Sequence, residues 1–198
     1  MLPHIDVPVT ELVRAEELLA PPPDPEPAME KNLTEQIETA AQEENPFKMQ
    51  LTHTSSRDPK LLLPELERRM GLLFAAYKAE YPDSPQPRIS QTTRSASDQK
   101  KEYANGRTAP GPVTTHALAG QSLHNYQPAL AFDVFFTVDG KYSTDESLYR
   151  NLGELAPSVG LEWGGTWPEP KTDTPHFQPP NYTWEMAAKN IKPTFPEV

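Results

Sequence analysis

The chain has 198 residues, enough for one ordinary domain with a real core and too few for two large ones. Its 24 prolines, 36% hydrophobic content and mean hydropathy of -0.67 indicate that part of it contributes nothing to a core. A net charge of -10 argues against nucleic-acid binding, which needs clustered Lys and Arg, and the lack of cysteine excludes disulfides and thiolate metal sites, leaving His and carboxylate as metal donors.

The acidity belongs to the front of the chain. Residues 1–50 hold eleven Asp/Glu against three Lys/Arg, which leaves 17 acids against 15 bases for the remainder. Within that front segment, Thr10 to Ala20 reads as a short amphipathic stretch and Pro21 to Pro27 as an extended, semi-rigid spacer. Glu30 to Glu44 has good helix formers but few apolar residues, and so reads as a solvated lead-in or a marginal helix. The expected organisation is therefore an acidic, Pro-rich N-terminal extension or linker over 1–50 and one domain over 51–198. The start of the chain lacks the basic residues and unbroken apolar run of a secretory signal, and no later stretch reaches membrane-spanning length. Export is expected to need outside help, and membrane insertion is not expected.

From Asp58 the pattern changes. Leu66, Met70, Leu73 and Tyr77 fall at helical spacing and predict a core helix that ends before Tyr81-Pro82. Arg88 to Gln91 predicts a short strand, Ser97 to Ala104 a helix closed by Asn105-Gly106, and Ala129 to Val138 a buried strand turned by Asp139-Gly140. Ser143 or Thr144 is placed to cap a helix containing Leu148, Leu152 and Leu155. Leu161 to Trp163 and His176 to Gln178 read as short strands around a Gly164-Gly165 loop. The expected fold class is α+β, with a small, mainly antiparallel sheet flanked by helices.

Two of the five histidines, His124 and His176, sit in contexts suited to a metal. Past His124 a polar loop feeds an apolar run interrupted by one carboxylate, Asp133, and a charge in such a run demands a partner. His176 enters a short strand three residues after Asp173. Catalytic zinc usually takes three protein ligands and leaves a position for water, a count that His124, Asp133 and His176 meet. A further carboxylate that does not bind the metal is needed to move the proton of that water, and Asp173 is placed for the role. Asp173 before Thr-Pro is also ordinary turn chemistry. His116 reads as a loop residue, because a fourth ligand would close the open position.

Ser122, His124, Ala131, Asp133, Asp173 and His176 resemble the split motif of the zinc peptidase family that joins D-alanyl-D-alanine carboxypeptidases with L-alanyl-D-glutamate peptidases. The family pattern is Ser-x-His-x-x-Gly-x-Ala-x-Asp, followed much later by an acid, two residues and His. Gln91 to Ser95, Gln99, Tyr103, Gly106 to Gly111 and Gly160 to Trp167 are similar to the phage endolysin branch, so that the likeness spans roughly residues 60 to 180 and leaves 1–50 unmatched. His124 and Asp133 stand nine apart where the family has seven, which reads as a two-residue loop enlargement at Gln127-Pro128-Ala129.

The resemblance implies the fold shared with the Hedgehog signalling domain, one zinc ion, and hydrolysis of the peptidoglycan stem peptide. L-Ala-D-Glu is the expected bond, with a D-Ala-D-Ala carboxypeptidase as the alternative. It implies that Arg94 holds the substrate, since a free carboxylate calls for a bidentate donor that Arg supplies and Lys does not. Ser122 either binds substrate or caps the ligand loop. Expected partners are the stem peptide and a phage membrane-permeabilising protein or virion component, with the chain held in the host cytoplasm before release to the wall or carried in a particle. A different class of reading is a non-catalytic wall-binding or phage structural protein on the same fold.

Overall fold

A computed structural model describes residues 47–198. The stretches Thr10 to Ala20, Pro21 to Pro27 and Glu30 to Glu44 lie outside the described residues. In chain order the regular elements are β1 (Gln50–Leu51), α1 (Pro64–Glu80), β2 (Arg88–Gln91), α2 (Ala96–Ala104), β3 (Tyr126–Gln127), β4 (Phe132–Phe135), β5 (Thr137–Val138), β6 (Lys141–Tyr142), α3 (Glu146–Leu155), β7 (Glu162–Trp163), β8 (His176–Gln178) and α4 (Trp184–Ala188).

Helix α1 buries Leu66, Met70, Leu73 and Tyr77, the face its spacing predicts. Pro64 at its first position loses no intrahelical bond, because the amide it lacks would have had no partner there. Helix α3 packs its buried Leu148 and Leu152 toward α1. Its cap is Asp145, whose carboxylate accepts from the Ser147 amide at 2.9 Å. Ser143 acts one step earlier, accepting from the Asp145 amide at 3.2 Å, which corrects the expected cap at Ser143 or Thr144.

A four-stranded sheet runs in the spatial order β2, β4, β8, β7, and all three pairings are antiparallel. Alternation along β4 splits its side chains between two environments. Phe132 and Val134 are buried, Phe132 stacking on Phe177 of β8 with ring centroids 5.3 Å apart and meeting Phe74 of α1 edge-on. Asp133, between them, lines an open cleft.

The expected strand over Ala129 to Val138 is interrupted. Ala129 to Ala131 are buried, but the backbone of Ala129 pairs with Leu61 and Leu63 ahead of α1, and β5 forms a separate hairpin with β6. A continuous apolar run signals burial, and here burial comes without one continuous ladder. The turn at Asp139-Gly140 has positive φ at both residues, as a tight hairpin requires.

Strand β1 pairs with β3, matching Gln50 to Gln127 and Leu51 to Tyr126. Gln127, the first of the residues read as an enlargement between His124 and Asp133, thus belongs to the edge on which β1 docks, while Ala129 pairs ahead of α1. Phe47 is already buried in the core, and the boundary read at 50/51 falls inside β1.

Candidate metal centre

The three candidate ligands come from one loop and two adjacent strands. Asp133 on β4 and His176 on β8 are cross-strand partners, so the sheet itself fixes their separation. His124 lies in a single 3-10 turn, Leu123–Asn125, whose cap is Ser122. The Ser122 hydroxyl accepts from the His124 amide at 3.3 Å, and the Asn125 side chain closes the turn by accepting from the Ser122 amide at 3.3 Å. Of the two uses open to Ser122, this is the capping one, although Ser122 also lines the cleft.

The hydrogen bonds on the far side of each ring decide which nitrogen faces inward. His124 Nδ1 lies 2.8 Å from the Thr92 carbonyl, which can only accept, so Nδ1 carries the proton and Nε2 presents a lone pair. His176 Nε2 lies 3.1 Å from Gln178 Oε1, and the Gln178 amide nitrogen donates to the Tyr182 carbonyl at 2.9 Å, which sets the amide's orientation. His176 Nε2 therefore carries the proton, and Nδ1 points inward. Such bonds behind ligand imidazoles are how proteins fix tautomer and ring direction at metal sites.

Three lone-pair atoms thus converge: His124 Nε2 and Asp133 Oδ1 at 3.1 Å, His176 Nδ1 and Asp133 Oδ1 at 3.1 Å, and the two ring nitrogens at 3.3 Å. A tetrahedron with metal–ligand distances of about 2.0 Å has edges of about 3.3 Å, so this triangle is the size of one face of a tetrahedral zinc site. Burial alone would penalise the Asp133 charge, yet the two imidazoles outweigh it and hold its carboxyl well below the usual range. Burial likewise opposes charge on His176, yet Asp133 overrides it and raises the imidazole pKa. The field of the cluster favours positive charge at its centre, and the donor set of two imidazoles and one carboxylate suits a borderline divalent cation. Among the described residues these three form the one group of His and acidic side chains that converges closely enough to share an ion. His116 lines the cleft outside that group.

Asp173 also stands outside the ligand group while lining the same cleft. Its carboxyl is pushed up, chiefly by loss of hydration between the cleft walls. Asp133 adds to the rise, and His176, His124 and Arg94 oppose it. A carboxylate so shifted is a better proton acceptor than an ordinary one. Its place depends on Gly164: the Gly164 carbonyl accepts from the Asp173 amide at 3.0 Å, and a Cβ on Gly164 would lie 2.5 Å from the Asp173 carbonyl oxygen and 3.1 Å from His176 Cβ. Only a residue without a side chain lets the two segments approach this closely.

Arg94 follows β2 and enters the cleft wall, its side chain 16% exposed. The Gln91 side-chain oxygen accepts from its Nε at 2.7 Å and from Nη2. Gln99 Oε1 accepts from Nη1 at 3.3 Å, and Asp133 Oδ2 lies 3.6 Å from Nη2. Arg94, Ser122, His124, Asp133, Asp173 and His176, the candidate site residues read from the sequence, thus all line one cleft of about 1170 Å³.

Trp167 and Glu162 are two cleft residues that sequence reasoning left out of the site. The Trp167 ring packs against His176 with centroids 5.1 Å apart, and its indole N–H donates to Glu162, whose other oxygen accepts from the Asn181 amide at 2.7 Å. Tryptophan in a short β segment reads as core packing, which holds for Trp163: its N–H is spent on the Thr174 carbonyl at 2.7 Å. The available signal for Trp167 was its position beside paired glycines.

Residues 115–179 match the model of a peptidase family described as D-alanyl-D-alanine carboxypeptidase, and this stretch contains all three converging side chains and Asp173. The chain is 35% identical over 98 residues to the peptidoglycan L-alanyl-D-glutamate endopeptidase CwlK of Bacillus subtilis; the match takes in 46% of this chain and 58% of that protein's length. Among solved structures, the L-Ala D-Glu endopeptidase ChiX of Serratia marcescens is 22% identical at a TM-score of 0.48, covering 65% of this chain and 90% of that one. The vancomycin-resistance D,D-pentapeptidase VanY, solved with Zn(II), is 20% identical at a TM-score of 0.47, covering 71% and 84%.

Proposed function

We propose, from the match of residues 115–179 to the D-alanyl-D-alanine carboxypeptidase family model, that the chain is a zinc-dependent hydrolase of the peptidoglycan stem peptide, cutting the L-Ala-D-Glu bond. The observation that carries this reading is the convergence of three lone pairs on one point, 3.1 to 3.3 Å apart, in the wall of an open cleft. His124, Asp133 and His176 would hold the ion. When bound, zinc supplies Lewis acidity, polarising a carbonyl and making a water more acidic.

The remaining steps belong to the side chains. Arg94 fixes a substrate carboxylate at the cleft wall. Asp173 takes a proton from the attacking water and delivers it to the departing amine, so that the amide C–N bond breaks, carbon gains the hydroxyl and nitrogen gains the hydrogen. L-Ala-D-Glu and D-Ala-D-Ala share one relevant feature: the residue whose nitrogen leaves carries a free carboxylate, either the α-carboxylate of a γ-linked D-Glu or a chain terminus. One arginine therefore suits both bonds. The identity with an L-alanyl-D-glutamate endopeptidase and the Asp173-Thr-Pro-His176 form of the second motif favour the first. The match to the carboxypeptidase family model keeps the second as the alternative.

Mass spectrometry of digested wall fragments tests this. New amino termini on D-Glu support the endopeptidase, loss of terminal D-Ala supports the carboxypeptidase, and an intact wall with zinc-loaded protein supports a non-catalytic wall-binding role. We further propose that the catalytic part, read from the sequence as 51–198, begins with Phe47 and β1 and that the residues before it are an extension, and infer a phage lysin, on the likeness of residues 91–111 and 160–167 to that branch. Such a lysin waits in the host cytoplasm for a membrane-permeabilising partner or travels in the particle. Expression with and without such a partner tests this, and lysis by the chain alone would contradict it.

A further inference from the structure

Arg94 differs from Arg68 and Arg69 in what holds it. Arg68 and Arg69 are both anchored on the carboxylate of Glu65, at 2.8 and 2.7 Å. The Arg94 guanidinium instead places all three nitrogens on neutral amide oxygens: Nε and Nη2 on Gln91 Oε1, and Nη1 on Gln99 Oε1. Among the described residues Asp133 is the carboxylate within 4.0 Å of it, and that contact, at 3.6 Å, is longer than a hydrogen bond.

The two glutamines are themselves fixed. Gln91 closes β2 opposite Asp133, and the register shift between Ile89 and Gln91 brings it onto that rung. Gln99 of α2 is fully buried, and its amide nitrogen donates to the Ala117 carbonyl at 2.8 Å and to Thr115 Oγ1 at 3.4 Å, which leaves its oxygen turned to Arg94. A carboxylate in either place would hold the arginine as firmly or more so, but would neutralise it. An amide oxygen accepts the same hydrogen bonds and leaves the positive charge uncancelled.

We propose that Gln91 and Gln99 are positioning residues that clamp Arg94 through neutral oxygens, so that its charge remains available to the free carboxylate of the substrate. The proposal rests on the assignment of Arg94 as the carboxylate-binding group. It makes the charge state of the clamp, and not its hydrogen bonding, the determinant of substrate preference.

Gln91→Glu separates the two, because it keeps the shape and an acceptor oxygen toward Arg94 while exchanging the amide NH2 for a second, charged oxygen. The probes are N-acetyl-D-alanine and its C-terminal amide, titrated by NMR into the zinc-loaded full chain, with bound zinc and melting temperature measured alongside. The wild type is expected to bind the acid at least tenfold more tightly than the amide. Gln91→Glu is expected to keep zinc and melt no lower, yet to lose that preference, and Gln99→Glu is expected to act in the same direction, which preserves the test if the first variant does not fold. Equal binding of acid and amide by the wild type, or an acid preference that survives both substitutions, overturns the proposal. Neither result depends on turnover, so wall cleavage stands or falls on its own assay.

Discussion

Asp133 and His176 face each other across one antiparallel rung, 43 residues apart in sequence, with Asp133 Oδ1 and His176 Nδ1 3.1 Å apart. The rung continues to Gln91 on the other side of Asp133. A single line across the sheet therefore carries two candidate ligands and the residue that clamps Arg94. His124 reaches the same point from a loop, and its ring is set by the Thr92 carbonyl.

Because Asp173 lies outside the ligand triangle, replacing it should separate metal binding from chemistry. Asp173→Asn is expected to retain zinc and to lower kcat by roughly 10²- to 10⁴-fold, the usual worth of a positioned general base. Metal content with single-turnover rates on a stem-peptide substrate checks this, and undiminished turnover would remove Asp173 from the role.

Gly164 makes a second, more local prediction. A methyl group there would meet the Asp173 carbonyl oxygen at 2.5 Å, so the Asp173 segment must move away from residue 164. Gly164→Ala is expected to reduce kcat by about 10- to 100-fold, since small misplacements of reacting groups are costly. Zinc content should be largely retained, because the contact with His176 Cβ at 3.1 Å asks that ligand to shift only slightly, while the Asp173 carbonyl takes the closer clash.

The α+β class, the α1 face, β2, β8 and the converging side chains were legible because each rests on a local pattern: apolar spacing, a turn dipeptide, or a carboxylate inside an apolar run. What the sequence hid is non-local. The pairing of β1 with β3 depends on two dipeptides brought together only by the fold, Gln50-Leu51 with Tyr126-Gln127. Trp167 and Trp163 have the same residue type and neighbouring positions, and only their partners, Glu162 and the Thr174 carbonyl, tell them apart. The clamp on Arg94 was equally hidden, for nothing in the spacing of Gln91, Arg94 and Gln99 reveals which oxygen faces which nitrogen.

Arg69 ties the C-terminal tail to the body. It is buried, donates to the Val159 and Pro196 carbonyls at 2.7 Å each, pairs with Glu65 at 2.7 Å and lies over the Phe195 ring. Arg69→Met is expected to cost about 1–3 kcal/mol, because the buried Val159 carbonyl loses its donor and the Pro196 carbonyl loses its tie to the body. Urea denaturation measures it, and an unchanged midpoint would show that the tail is not anchored there.

The same pair gives an acid limb. Hydrogen bonds, first from Arg68 and then from Arg69, outweigh partial burial and lower the Glu65 carboxyl to about 2 from 4.5. A depressed carboxyl stabilises the fold above its unfolded pKa and loses that contribution as pH falls through its folded value. Stability should therefore decline as pH drops from about 4.5 toward about 2, by an amount reduced by solvent screening because the Glu65 side chain is 37% exposed. Glu65→Gln should flatten this limb in thermal melts taken across that range, and an unaltered limb would assign it to other carboxyls.

The central claim is that His124, Asp133 and His176 share one zinc ion, and the most direct measurement is zinc per chain by inductively coupled plasma mass spectrometry after gel filtration of zinc-treated protein. One equivalent is expected for the wild type and far less than one for His124→Ala and for His176→Ala. A wild-type chain that carries no zinc, or single-histidine variants that keep a full equivalent, would contradict it.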